Sequence, residues 1–314
     1  MPVLECAQLP PAAPGDNPKP ALSASKEMTV TAALDHGLAA VNYLCVTCGV
    51  QFAASPAPPA ACPICDDERQ YVPPGGQRWT TLTQLRAGHR NAFQRLAPDL
   101  LGVATTPQFA IGQRAVLIQT PAGNYLWDCV SLIDPATVDL LQALGGVRGI
   151  ALSHPHFYSS MVEWSQALGG VPILLHQADQ AWVMRPDPVV RFWDGPTYTL
   201  APGLTLIHCG GHFAGSTALH WAAGADGQGA LFTGDTLQVA QDQRSVSFMR
   251  SYPNLIPLSA AAVAHIAAMV APFAFERLYG GWWDRVIETN AAAAVQASAT
   301  RYIAALRGQT WERP

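Results

Sequence analysis

The chain has 314 residues, of which 49% are hydrophobic and only 13% are charged, and its formal net charge at pH 7 is −4. The weakly negative charge and the lack of basic clusters argue against nucleic acid as the main partner. No run of apolar residues is long enough to span a bilayer, so the sequence predicts no membrane partner. The composition is typical of one large or two smaller domains, and it allows a homodimer.

Residues 1–41 are predicted to form a flexible N-terminal arm and lead-in. The first part, residues 1–27, is rich in proline, alanine and serine. Segments of this composition bury too little apolar surface to fold on their own. The sequence also lacks the apolar core of a secretory signal, so we expect a cytoplasmic protein with reduced thiols.

Two Cys-x-x-Cys pairs follow the arm, and the predicted metal ligands are Cys45, Cys48, Cys62 and Cys65. Each tight turn can point two thiolates at one ion, and four thiolates complete a tetrahedral site. Disulfides are the alternative, but a cytoplasmic chain with further scattered cysteines favours metal. We therefore predict a small domain over residues 42–76 that binds structural zinc, with iron as the alternative ion. The segment resembles a zinc ribbon or a rubredoxin-like knuckle.

The remaining residues, 77–314, are predicted to alternate strands and helices in an α/β domain. Residues 79–97 are predicted to be helical. The segments 115–119 and 124–128 are predicted to form a hairpin whose second strand ends in Asp128. Further helices are predicted over residues 135–144, 161–168, 258–270 and 289–306.

Four side chains that can bind metal follow predicted strands. His154 and His156 close an apolar run that begins at Gly149, His212 follows two glycines, and Asp235 ends a run that begins at Ala230. An α/β protein can build a metal site from strand ends on one rim, and imidazole with carboxylate suits zinc or iron. The sequence therefore predicts that these four residues form one site.

The arrangement resembles the metallo-β-lactamase superfamily, whose pattern is H-x-H-x-D-H, then G-H-[ST]-x-G-[ST], then G-D and a last histidine. The chain reads His154-Pro155-His156-Phe157-Tyr158-Ser159, then Gly211-His212-Phe213-Ala214-Gly215-Ser216, then Gly234-Asp235. Tyr158 and Ser159 replace the aspartate and histidine of the first motif, and Trp282 lies where the last histidine is due. The resemblance covers about residue 98 to the C-terminus and implies an αββα sandwich.

In this superfamily two metals typically share a hydroxide that attacks an ester, amide or phosphate bond. The resemblance assigns His154, His156 and His212 to one metal site, and Asp235 is the remaining ligand of the other. We therefore expect one zinc or iron ion in the large domain, or none. Asp235 is predicted to orient or deprotonate the attacking water, and Tyr158 to donate a hydrogen bond to a developing oxyanion.

Three functions are compatible with these motifs. The first is a metal-dependent hydrolase with a single catalytic-type metal, acting on a small ester, thioester or lactone. The second is a mononuclear iron oxygenase similar to the persulfide dioxygenases of the superfamily, with His154, His212 and Asp235 as ligands. The third is a catalytically degenerate protein that binds a ligand or partner. Aromatic residues beside the ligand positions predict a narrow apolar pocket for a small-molecule substrate; they are Phe157, Tyr158, Phe213 and Trp282.

Overall fold

Two large β-sheets, with helices outside them, make up most of the protein. The computed structural model describes residues 40–309. The strands are β1 (Tyr43–Cys45), β2 (Trp79–Thr81), β3 (Arg90–Ala97), β4 (Leu100–Thr106), β5 (Arg114–Thr120), β6 (Gly123–Trp127), β7 (Gly149–Ala151), β8 (Ile173–His176), β9 (Val190–Trp193), β10 (Thr197–Ala201), β11 (Leu204–His208), β12 (Thr217–Trp221), β13 (Ala230–Phe232), β14 (Gln238–Val239), β15 (Val246–Ser247), β16 (Met249–Ser251), β17 (Ile256–Pro257), β18 (Arg277–Tyr279) and β19 (Val286–Ile287).

Seven α-helices lie within residues 40–309, and they range in length from 4 to 16 residues. They are α1 (Pro63–Asp66), α2 (Leu82–Gly88), α3 (Pro135–Ala143), α4 (Met161–Ala167), α5 (Gly224–Gly227), α6 (Ala260–Val270) and α7 (Ala291–Leu306), with 3-10 turns at Pro155–Phe157 and Gln177–Trp182. None of the helices within residues 40–309 has the length and apolar character needed to cross a bilayer. The predicted arm, residues 1–41, lies outside the described residues except for its last two.

The first sheet has seven strands in the order β3-β4-β5-β6-β7-β8-β9, and the second has six in the order β10-β11-β12-β13-β18-β19. In the first sheet, β3 to β6 pair antiparallel and β6 to β9 pair parallel. In the second, the parallel pair is β13 with β18, and the other pairs are antiparallel. Both sheets are therefore mixed, as the resemblance implies.

The core is divided into layers by the two sheets. One buried cluster joins their inner faces and includes Val116 and Ile118 from β5 with Phe232 from β13. Leu117 faces the other way, into a cluster shared with α3 and α4. A third cluster lies between the second sheet and helices α6 and α7. Successive residues of β5 thus face different layers, as the strand period requires, and the predicted αββα sandwich is confirmed.

The four longer helices predicted from the sequence are confirmed, but the predicted helix over residues 79–97 is wrong. The structure has strand β2, helix α2 and strand β3 in that interval. Helix α2 begins at a capping box formed by Thr81 and Gln84, and it ends at Gly88, a poor helix former. The residues that follow pair with β4 along the whole of β3, from Arg90 opposite Thr106. Sheet pairing therefore overrides the local helix preference.

The four-cysteine segment packs against the first sheet and its helices. Strand β1 pairs antiparallel with β2, with Tyr43 opposite Thr81. Leu44 and Ile64 are fully buried and belong to the same hydrophobic cluster as Leu117. The four-cysteine segment therefore shares one hydrophobic core with the first sheet.

Candidate metal centres and the pocket between them

The four predicted ligands of the large site come from both sheets. His154 immediately precedes, and His156 lies in, the 3-10 turn that follows β7 of the first sheet. His212 lies in the loop between β11 and β12, and Asp235 follows β13, all in the second sheet. Their four ligand atoms lie within 4.8 Å of one another, and all four residues are buried. The structure therefore brings together the residues that the sequence motifs singled out.

The spacing of these atoms fits a single ion. His154 Nε2 lies 3.3 Å from Asp235 Oδ2, and His212 Nε2 lies 3.8 Å from the same oxygen. His156 Nδ1 lies 3.3 Å from His212 Nε2. Two ligands about 2.0–2.1 Å from zinc in tetrahedral geometry are about 3.3 Å apart. The observed separations therefore leave room for one ion among the four groups.

Hydrogen bonds orient two of the imidazoles. His212 Nδ1 lies 3.1 Å from the Met249 carbonyl, which can only accept, so Nδ1 donates and the Nε2 lone pair faces the site. His154 Nδ1 lies 2.9 Å from Ser153 Oγ. Neither His154 Nε2 nor Asp235 Oδ1 has a hydrogen-bond partner within residues 40–309, although both atoms are buried. Buried polar atoms without partners are costly, and a metal ion would satisfy them.

Burial also favours the neutral form of two histidines. It lowers the pKa of His212 to about 4 and lowers the pKa of His156 well below its usual value, with neighbouring histidines adding to the effect. Neutral imidazole is the form that binds metal. The pocket therefore holds these two rings ready for coordination at neutral pH.

Gly234 allows the two sheets to meet at the site. Its φ is 51°, and a Cβ at this position would lie 2.5 Å from Ser153 Oγ, next to His154. Only glycine avoids both the backbone strain and the contact. On the other side of the same loop, Asp128 Oδ1 accepts a 2.7 Å hydrogen bond from the Ser153 amide. The segment that carries Ser153 and His154 is thus held between Gly234, which it approaches closely, and Asp128, to which it donates a hydrogen bond.

The four cysteines also lie together. Cys45 Sγ is 3.6 Å from Cys65 Sγ, and Cys48 Sγ is 3.7 Å from Cys62 Sγ. Thiolates about 2.3 Å from zinc in tetrahedral geometry are about 3.8 Å apart, whereas a disulfide would bring two sulfurs to about 2.0 Å. Burial raises the pKa of the Cys48 thiol, while hydrogen bonds from Cys48 and its neighbours lower the pKa of Cys45. The sulfur positions fit one tetrahedral ion.

A cavity of about 300 Å³ opens beside the histidine site. His156, His212 and Asp235 line one side of it. The other lining residues are Thr47, Arg69, Gln70, Tyr71, Gln108, Ala110, Ile111, Gln238, Tyr252, Pro253 and Trp282. Four of these come from the four-cysteine segment, which therefore forms part of the pocket wall. The motifs gave no signal for this wall, because Arg69 reaches His212 across 143 positions of sequence.

The predicted aromatic lining is only partly found at this cavity. Trp282 lines it and donates a 2.9 Å hydrogen bond to the Ile111 carbonyl. Phe157 and Phe213 are fully buried and pack on the His154 ring, with ring centres 4.7 and 5.9 Å away. Tyr158 instead lines a separate small cavity with Val50 and Gln51. Tyr158 is not among the residues that line the cavity beside the histidines, where the predicted oxyanion role would require it.

The positions that depart from the family pattern have other partners. Ser159 Oγ accepts a 2.9 Å hydrogen bond from Gln113 and donates to the Cys129 carbonyl at 3.3 Å. Tyr158 and Trp282 are placed as described above. Within residues 40–309, groups of three or more potential ligands occur at the four cysteines and at the histidine–aspartate site. The described structure therefore offers no second set of ligands beside the histidines.

Comparison with known proteins places the chain in a family. It is 49% identical to YmaE, an uncharacterised protein of Bacillus subtilis strain 168, over 269 residues that cover 85% of this chain and 97% of YmaE. The chain belongs to the family of YmaE, and its fold is that of the metallo-β-lactamases. No protein-family model matches the chain.

Two solved structures support the fold. DIM-1 metallo-β-lactamase aligns with a TM-score of 0.53 at 10% identity, covering 69% of this chain and 98% of that one. VMB-1 aligns with a TM-score of 0.52, also at 10% identity and with the same two coverages. The resemblance to the metallo-β-lactamase superfamily is thereby confirmed at the level of the fold.

Proposed function

We propose that the protein is a metal-dependent hydrolase that uses one metal ion, zinc in preference to iron, and acts on a small ester, thioester or lactone. The observation that carries the proposal is the meeting of four buried donor groups, spaced for one ion, at the wall of a 300 Å³ cavity. An ion in this position would polarise a carbonyl group and make a bound water more acidic. The four cysteines would hold a second zinc ion in a structural role.

His154, His156 and His212 would hold the ion, and the cavity beside His156 and His212 offers room for water and substrate. Asp235 lies beside them with two distinct oxygens. Its Oδ2 faces His154 and His212, and its Oδ1 is buried without a hydrogen-bond partner in the described residues. Because Asp235 lines the cavity, its carboxylate would be placed to accept a proton from an attacking water.

The surrounding residues restrict the substrate. Phe157 and Phe213 exclude water from the back of the histidines, and Trp282 narrows the cavity. Apart from Arg69 and Asp235, the lining side chains are uncharged, and several are amides or apolar groups. A cavity of this volume and character suits a small, largely neutral acyl compound rather than a sugar phosphate.

Turnover by zinc-loaded protein tests this proposal. A panel of p-nitrophenyl acetate, a short acyl thioester and a γ-lactone should give saturable hydrolysis that disappears after chelation and in His212→Ala. Absence of turnover on all three substrates, in protein with one metal ion at each site, would reject the hydrolase and favour a binding protein.

The position of Asp235, which faces both His154 and His212, also supports a second candidate function, that of a mononuclear iron oxygenase. Two histidines and one carboxylate suit ferrous iron with open positions. Protein purified without added metal should therefore be assayed for metal content and for oxygen consumption with glutathione persulfide. Iron at the histidine site together with persulfide-dependent oxygen uptake would replace the hydrolase with a dioxygenase.

A further inference from the structure

The four-cysteine segment touches both halves of the histidine site, one half through each of its cysteine pairs. The first pair, with the residues just after it, contacts the first-sheet half. Gln51 donates a backbone hydrogen bond of 2.9 Å to the carbonyl of Ser159, three residues beyond His156. Ser131 donates a side-chain hydrogen bond of 2.8 Å to the carbonyl of Gly49. The residues after the first cysteine pair are thus attached to the segment that follows His156 and to the loop that follows β6.

The residues after the second pair contact the second-sheet half through Arg69. Its Nε donates a 2.6 Å hydrogen bond to the backbone carbonyl of His212, and its Nη1 donates at 2.7 Å to Asp67. The guanidinium lies 4.4 Å from the centre of the Phe213 ring. The Arg69 side chain is only 12% exposed. Arg69 therefore fixes the loop that carries His212 from the pocket side.

The same segment is attached to the loop that orients the His212 ring. Asn254 Nδ2 donates to the carbonyls of Glu68 and Gln70 at 2.9 and 2.8 Å. Ser251 Oγ donates to the Arg69 carbonyl at 3.1 Å. Ser251 and Asn254 belong to the β16–β17 hairpin, which begins at Met249, whose carbonyl accepts from His212 Nδ1. Both the backbone and the ring of His212 thus depend on residues that directly follow the second cysteine pair.

The sulfur contacts join the two cysteine pairs to each other. Cys45 approaches Cys65, and Cys48 approaches Cys62, so each close contact links one pair with the other. An ion held by all four sulfurs would tie the segment that contacts Ser159 to the segment that contacts His212. Without it, the sulfurs themselves would contribute only weak S–H interactions beside the apolar packing of Leu44 and Ile64.

We propose that the four-cysteine centre clamps the two halves of the histidine site together, and that Arg69 is the positioning residue that transmits this clamp to His212. The inference rests on the metal-binding role assigned to both centres, but it does not depend on the reaction. Because coupling between binding sites is reciprocal, an ion at either centre should raise the metal affinity of the other by the same factor.

Cobalt(II) binding to the full-length protein tests the clamp. Cobalt–thiolate centres absorb intensely by charge transfer, whereas a histidine–carboxylate centre gives weak d–d bands, so the two sites can be titrated separately. Arg69→Gln should leave the thiolate signal unchanged, weaken cobalt binding at the histidine site about tenfold or more, and alter its d–d spectrum. Loss of residues that orient metal ligands typically has an effect of about this size.

Two further variants test which residues each centre needs. His212→Ala should lose the histidine-site signal and keep full thiolate occupancy, because His212 is not among the four thiolate ligands, whereas Cys48→Ser should weaken both signals. Arg277→Gln is the matched control, because Arg277 is also ion-paired, at 2.8 Å from Glu288, but does not line the pocket. It should bind cobalt like the natural protein.

Histidine-site affinity within twofold of the natural protein in Arg69→Gln would overturn the clamp, as would full affinity in a folded Cys48→Ser variant. If Cys48→Ser does not fold, Arg69→Gln decides the question alone. Because the readout is cobalt binding, a failed clamp leaves the proposed hydrolase standing. Conversely, a fully metallated protein without turnover rejects the hydrolase and leaves the clamp intact.

Discussion

At the scale of single residues, Asp235 and Tyr158 have different surroundings although the sequence predicted catalytic roles for both. Asp235 lies among the histidines and lines the cavity. Tyr158 is 2% exposed and lines a different, much smaller cavity. The motif identifies both residues but does not predict the direction of the Tyr158 side chain. That direction depends on contacts with the distant residues Val50 and Gln51, which line the same small cavity.

We expect Asp235→Asn to lower kcat/KM about 100-fold or more, because the amide keeps the size of the side chain but cannot accept a proton, and general bases contribute about 10²–10⁴-fold. Steady-state hydrolysis of the best substrate, together with metal analysis, measures the effect. Tyr158→Phe should stay within twofold of the natural protein. Equal losses in the two variants would contradict the placement of Asp235 as proton acceptor.

Gly234→Ala should destabilise the fold and weaken metal binding. The new Cβ would meet Ser153 at 2.5 Å and would sit on a backbone with φ of 51°. Gly227→Ala is a suitable control, because its φ is 84° but its Cβ would meet no atom within 4 Å. Urea unfolding should show a loss of about 1–2 kcal/mol from backbone strain in the control and about 1–3 kcal/mol more in Gly234→Ala from overpacking. Equal losses would exclude the steric contact as the cause.

At the scale of elements, the parts of the site predicted from sequence are those carried by strand ends. The runs before His154 and Asp235 are short, apolar and buried, and each stops where the polar residue begins, so local pattern was sufficient. The predicted helix over 79–97 is wrong because β3 is only partly buried, and buried and exposed residues do not alternate regularly along it. No local sequence pattern predicts that Arg69 and Gln70 line the cavity, because their hydrogen-bond partners His212 and Asn254 are distant in sequence.

Loss of the four-cysteine ion should loosen particular elements. In Cys48→Ser, we expect faster amide hydrogen exchange in β1, in β2 and over residues 62–71, because these depend on the sulfur cluster for their relative position. Strands β11 to β13, which lie in the centre of the second sheet, should keep their protection. Uniformly faster exchange across both sheets would instead indicate that the cluster is needed for the global fold.

At the scale of the whole molecule, the αββα sandwich was implied by the resemblance to the metallo-β-lactamase superfamily, and the residues Tyr158, Ser159 and Trp282 predict a single ion in the large domain. The chain should bind two metal ions in total, one at each centre, even in excess zinc. Inductively coupled plasma mass spectrometry and native mass spectrometry measure this. A third tightly bound ion, located beside His154 by crystallography, would contradict the single-ion assignment of the large site.

Each sheet supplies two ligands to the histidine site, so a bound ion there connects the halves of the sandwich. Metal-free protein should therefore melt at a lower temperature than the loaded protein, with the difference growing as free zinc rises above its dissociation constant. Differential scanning calorimetry at several zinc concentrations tests this, with His212→Ala as the control that should lose the part of the zinc-dependent increase due to the histidine site and keep the part due to the four cysteines.

The positions of the ligands along the chain also bear on how the protein matures during its synthesis. All four cysteines precede residue 66, whereas the histidine site needs the chain to extend to Asp235. Domains at the N-terminal side of a nascent chain generally fold first, and a four-thiolate site can order a short peptide by itself. The four-thiolate centre would thus bind its ion while the rest of the chain is still being synthesised, before His212 and Asp235 can complete the histidine site.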